Sequence, residues 1–162
     1  MNTTSANKKF VFGDAGHCIA FGFGAGLLPR APGTFGSLLA FPLYWAAAFL
    51  PLFAQWFCGA LLFAAGVWLC GRAGRALNKE DDRGMVLDEI AAFYFVLLAV
   101  PDAWQWQGAA FAAFRFFDAA KPPPVNWLDK NIKGGWGVML DDAAAAALTC
   151  ALIYGLIFAA RM

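Results

Sequence analysis

Asp81, Asp82, Asp88, Glu89, Asp118, Asp141 and Asp142 stand at the edges of long apolar runs, with Arg115 and Lys121 beside them. Carboxylates at the rim of an apolar segment are costly unless they are paired or bind a metal. Hard oxygen donors without His or Cys beside them suit Mg²⁺ or a similar ion. Such an ion keeps waters and substrate phosphate in its shell, while Arg and Lys hold the remaining phosphate oxygens. Together these parts describe phosphoryl chemistry on an anionic substrate. The same residues also fit a solvated loop followed by a capped helix, because acids at a helix start complement its dipole.

Charge is concentrated between Phe111 and Asp142, where Arg115, Asp118, Lys121, Asp129, Lys130, Lys133, Asp141 and Asp142 all fall. The run FAAFRFFDAA reads as a helix carrying Arg115 and Asp118 three apart on one side. Pro122, Pro123 and Pro124 stop it immediately after Lys121. The GGWG stretch from Gly134 to Gly137 reads as a flexible turn, after which Asp141 and Asp142 open an alanine-rich helix. Asp88 and Glu89 open another apolar stretch in the same way.

Other chemistries lack their motifs. The chain has no G-x-x-x-x-G-K-[ST] and no cysteine separated from an arginine by five intervening residues, C-x-x-x-x-x-R. Its single histidine, His17, reads as a packing or interfacial residue. Gly22, Gly24 and Gly26 lack the strand, helix and later acid of a dinucleotide fingerprint. Cys18, Cys58, Cys70 and Cys150 have neither zinc nor disulfide spacing. In LPRAPGTFGS, Thr34 and Ser37 read first as helix caps, although hydroxyls and free N–H groups at a helix start also cradle phosphate.

The elements that must position these groups are apolar helices. Of the 162 residues, 61% are hydrophobic and only 14% charged, against about 25% charged in ordinary soluble domains. The net charge of +1 supplies no basic field for nucleic acid. The polar stretch 1–7 is expected to lack structure, and no signal peptide is evident there. Ala31 to Gly71 carries no charge. It predicts a helical hairpin near 35–50 and 54–71, broken around Pro51 and Gln55, with a kink from Pro42. Segments 90–100 and 103–114 are too short to cross a bilayer and predict a packed or interfacial pair. Residues 143–160 read as a final span. The expected fold is therefore an all-α, multi-helical bundle of six or seven helices, membrane-embedded, with about three full transmembrane helices plus shorter packed ones. Counting crossings puts Lys8, Arg72, Arg75, Lys79, Lys121 and Lys133 on one side. The positive-inside rule makes that side cytoplasmic, with the acids, and puts Arg161 opposite.

The stretches GFGAGLLPRAPGTFGS, DDRGMVLDEIAAF, FRFFDAAKPPPVNWLD and GGWGVMLDD resemble the phosphatidylglycerophosphatase A family. The resemblance runs from about Gly22 to Asp142, most of the chain, and implies a single domain over 1–162. It implies Mg²⁺-dependent removal of phosphate from phosphatidylglycerophosphate, giving phosphatidylglycerol, at a bacterial inner membrane. Family positions fall on Pro32, Gly33, Thr34, Gly36, Ser37, Asp81, Asp88, Glu89, Arg115, Asp118, Lys121, Pro122, Gly135, Gly137, Asp141 and Asp142. The implied metal ligands come from Asp88, Glu89, Asp141 and Asp142. The implied phosphate site is Thr34, Ser37, Arg115 and Lys121. Catalysis is carried by the four acids with Asp118 and Lys121. Water activated by metal or by Asp118 attacks phosphorus, with an aspartyl-phosphate intermediate as the alternative. Ala92 and Ala146 depart from glycines common in the family, which puts local packing in question. Two rivals remain: another lipid phosphate enzyme such as a phosphotransferase, whose D-G-x-x-A-R pattern is missing, and a non-enzymatic membrane scaffold.

Overall fold

The structure is a computed structural model and describes residues 6–79 and 81–162. Among these residues every regular element is helical. They run α1 (Lys8–Phe12), α2 (Ala15–Ala20), a 3₁₀ segment (Gly22–Leu27), α3 (Pro32–Ala47), α4 (Leu52–Leu77), α5 (Leu87–Ala99), α6 (Trp104–Ala120), α7 (Val125–Asn131) and α8 (Gly134–Ala159). The expected six or seven helices become eight, because short amphipathic pieces at the charged end are helical as well.

α5 lies at the centre. After Asp88 and Glu89 in its first turn, Ile90 to Ala99 carries no charge, and the helix packs against α3, α4, α6 and α8. A helix apolar on all sides belongs in a core, and Ile90, Ala91, Phe93, Val96 and Leu97 are buried. The Phe93 ring binds the layers together, with centroids 5.5 Å from Phe41, 5.5 Å from Phe111 and 5.4 Å from Phe114. Ala92 and Ala146 are both buried in this cluster, so their methyls are accommodated.

The expected hairpin is present, with α3 and α4 separated at Pro51. The expectation of three full spans is corrected to two, α4 and α8, by length and composition. α3 has only 16 residues, about 24 Å of rise against a hydrocarbon core of about 30 Å. Large apolar side chains on the α3–α4 hairpin nevertheless face outward, Phe49 at 93% and Phe53 at 77% exposure. Exposed apolar surface of this extent marks a contact face toward a membrane or another protein.

Three boundaries differ from the sequence reading. α4 continues past Gly71 through Arg72 and Arg75 to Leu77, and ends at Asn78 in the left-handed region, a conformation Asn tolerates at a helix end. GGWG is the first turn of α8 rather than a free turn. Its glycines are needed for contact: a Cβ on Gly135 would overlap the Val67 carbonyl of α4, and one on Gly137 the Ile132 carbonyl. Asp141 and Asp142 therefore lie two turns inside α8, whereas Asp88 and Glu89 do occupy the first turn of α5. The expected disordered start falls partly outside the described residues, and Asn7 itself caps α1 by accepting from the Phe10 N–H. The glycine run is explained by backbone form: Gly22, Phe23 and Gly24 all have positive φ. The four cysteines are free thiols.

Candidate active site

The N-terminal ends of α3, α5 and α8 meet the C-terminal end of α6 around one cavity of about 600 Å³. α5 projects Asp88 and Glu89 from its first turn. α8 projects Asp141 and Asp142 from its third. α6 brings Arg115 and Asp118, which an i, i+3 spacing sets side by side, and its terminal residue Lys121. All seven line the cavity, with Asp81 and Gly33. Ala31 and Lys121, both on its wall, hold φ of 48° and 44°. Non-glycine residues in that region are strained, and such strain gathers at functional sites.

Two subsets separate. In the first, one carboxylate oxygen from each of Asp88, Glu89 and Asp142 lies within 4.8 Å of the others. Asp88 Oδ1, Glu89 Oε2 and Asp142 Oδ2 are buried without a hydrogen-bond partner. Burial raises the pKa of both Asp88 and Glu89, reinforced at Asp88 by Glu89 and at Glu89 by Asp142. Gly33 makes room for this cluster, since a Cβ there would overlap Glu89 Oε1. Orphaned oxygens of this charge and hardness form a donor set that fits a divalent cation.

The second subset pairs cations with acids. Arg115 Nη1 stands 2.7 Å from Asp118 Oδ2 and 3.6 Å from Glu89 Oε1. Lys121 Nζ bridges Asp141 Oδ2 and Asp129 Oδ1, at 2.8 Å each. Burial alone would lower the Lys121 pKa, but hydrogen bonds to Asp129 and Asp141 raise it, so the ammonium stays charged. Asp141 turns its other oxygen to the Asp142 N–H, 3.0 Å away. Asp141, grouped with the metal ligands in the sequence reading, thus faces Lys121 here.

Of the residues expected to hold phosphate, Arg115 and Lys121 line the cavity and Thr34 and Ser37 do not. Ser37 is fully buried. It donates to the Gly33 carbonyl at 2.9 Å and accepts from Arg115 Nη1 at 3.4 Å, standing behind the guanidinium. His17 stacks on Phe10 at 4.1 Å, outside the cavity lining, as a packing residue would. Two lining or supporting residues escaped the sequence reading. Asp129 reaches Lys121 only because α7 folds back after the prolines, and Arg83, although inside the DDRGMVLDEIAAF stretch, is not among its expected site residues.

The family model described as phosphatidylglycerophosphatase A matches residues 18–157. A phosphatidylglycerophosphatase A of Escherichia coli (strain K12) is 36% identical over 150 residues, covering 92% of this chain and 87% of that protein. One of Haemophilus influenzae is 35% identical over 164 residues, covering 96% and 97%. A Bacteroides thetaiotaomicron protein, named provisionally as a phosphatidylinositol-3-phosphatase, is 43% identical over 143 residues, covering 83% and 89%. No solved structure matches the chain. The match over most of its length places the chain in the phosphatidylglycerophosphatase A family of phosphoric monoester hydrolases.

Proposed function

We propose that this protein hydrolyses the phosphate monoester of phosphatidylglycerophosphate to phosphatidylglycerol and inorganic phosphate, using Mg²⁺, at the cytoplasmic face of a bacterial inner membrane. The observation that carries the reading is the meeting of three orphaned carboxylate oxygens with Arg115 and Lys121 in one cavity. Capping cannot account for it, because the helix dipole acts only within the first turn and Asp142 lies beyond it.

Asp88, Glu89 and Asp142 are the residues that would hold Mg²⁺. When bound, the ion supplies charge neutralisation and Lewis acidity at the phosphoryl group. The chain's own residues do the rest. Arg115 presents planar donors to the phosphoryl oxygens, which suits bidentate capture. Asp118 and Ser37 hold that guanidinium from two sides. Lys121 adds a second positive charge, tethered by Asp129 and Asp141 so that it meets the substrate without reorganising. Asp118 already accepts from Arg115, which favours an orienting role over that of general base. Water attack on phosphorus fits this arrangement, with an aspartyl-phosphate intermediate as the alternative.

The membrane reading rests on α4 and α8. Both run away from the cavity, α4 ending and α8 starting beside it, so the site lies at one membrane surface. The Bacteroides relative favours a second headgroup, inositol phosphate. Purified protein supplied with either lipid across a Mg²⁺ titration decides. Mg²⁺-dependent phosphate release from phosphatidylglycerophosphate is the expected result. Preference for the inositol lipid reassigns the headgroup, and release from neither leaves the scaffold reading standing.

A further inference from the structure

The acidic cavity adjoins another. A cavity of about 360 Å³ is lined by Leu27, Leu28 and Pro29 on its apolar side and by Asp82 and Arg83 on its polar side. Ala31, Pro32 and Arg83 belong to the walls of both. Asp82 is already engaged: Oδ2 pairs with Lys79 at 2.9 Å and Oδ1 accepts from the Gly84 N–H at 3.0 Å. Arg83 is different. Among the described residues it has no salt bridge, whereas Arg115 and Lys121 each face two carboxylates. A guanidinium always carries its charge and offers five donors. Here that group stands uncommitted on the wall between a phosphate-chemistry cavity and an apolar one.

On the reading above, the substrate carries two anions. Its monoester phosphate meets the acids, Arg115 and Lys121. Its phosphodiester sits a few bonds away, where the headgroup joins the apolar part of the lipid. The second anion must therefore find a cation between the reaction cavity and an apolar surface. We propose that Arg83, with the Leu27–Pro29 cavity, forms a second anion subsite that takes the phosphodiester and the adjoining lipid glycerol. Arg83 is a binding residue for the unreactive end. It aligns the monoester with the reaction centre and selects lipids bearing both phosphates. The inference rests on the proposed activity and holds for either headgroup, since both lipids share the monoester and the diester.

The test uses full-length protein in mixed micelles, comparing wild type with Arg83→Gln and Arg83→Lys. Phosphate release from phosphatidylglycerophosphate is followed, with inorganic phosphate as inhibitor. Losing a charge-assisted hydrogen bond predicts that Arg83→Gln raises KM about tenfold or more. Its kcat stays within about twofold, as for lost uniform binding. Inhibition by inorganic phosphate, which probes only the monoester end, is unchanged, and Arg83→Lys recovers part of the KM. An unchanged KM overturns the proposal. So does an equal loss of phosphate inhibition, which would put Arg83 at the reacting phosphate. A wild type inactive on this lipid refutes the proposed activity instead, before any variant is made.

Discussion

The two acid pairs look alike in sequence and differ in the fold. Asp88 and Glu89 occupy the first turn of α5, where the helix dipole and free N–H groups favour negative charge. Asp141 and Asp142 lie two turns inside α8, where no such favour reaches them. The first pair has a local reason to exist as well as a functional one. Beyond the Asp142 N–H that Asp141 accepts, the second has its partners across the bundle: Lys121 for Asp141, and the Asp88–Glu89 cluster for Asp142. A buried acid kept without local support is the stronger pointer to function.

The largest expected effect breaks the pairs apart. Asp142→Asn should lower Mg²⁺-dependent turnover by more than about a hundredfold, the upper range for groups that merely support a ligand. It should leave the apo protein folded in detergent, because it removes one member of a repelling, buried cluster. Asp88→Asn should lose similar activity, but should also forfeit a dipole contribution of about 0.3–1 kcal/mol that Asp142→Asn does not. Thermal melts of both variants without metal check the difference. Equal activity of Asp142→Asn and wild type across a Mg²⁺ titration would remove Asp142 from the site.

A second measurement sharpens the comparison through pH. Asp88 and Glu89 titrate above the ordinary carboxylate values of about 4. Between those values and the raised folded ones, the native state binds more protons than the unfolded state. Unfolding free energy then falls as pH rises through that window. The metal-free protein should therefore be more stable at mildly acid pH than at neutral pH, and added Mg²⁺ should flatten the slope by binding the native state. Melting curves from pH 4 upward, with and without the ion, decide; a slope of opposite sign would contradict the burial of these groups.

The smallest effect separates the two partners of Lys121. Asp129 is 38% exposed and Asp141 only 7%. Asp129→Asn should cost about 1 kcal/mol or less, as exposed pairs do, with activity reduced only slightly. Lys121→Met should cost more, because it leaves Asp141 buried without its cation. Equal losses in the two variants would show that both acids are needed to hold the lysine.

Much of this was legible in the chain. Pro51 and Pro122 to Pro124 mark real helix ends, because proline blocks continuation whatever surrounds it. The spacing of Arg115 and Asp118 sets them together by helical geometry alone, and the membership of Asp88, Glu89, Arg115, Lys121 and Asp142 in one site follows from type and resemblance. Helix starts were harder. GGWG reads as a turn because glycine destabilises an isolated helix, yet close contact with the Val67 and Ile132 carbonyls makes glycine the residue that fits. The length of α3 likewise escaped, since an uncharged run does not say where its helix begins.

What the sequence determined by itself was local: an all-helical chain, its breaks, its apolar surface and a set of hard oxygen and cationic groups fit for phosphate. Tertiary structure decided the partners. It sent Asp141 to Lys121 and Asp142 to Asp88 and Glu89, although the two acids are adjacent in the chain. Successive residues on a helix point about 100° apart, so neighbours in sequence face different elements. Only the packing of α8 against α5 and α6 determines which group each one meets.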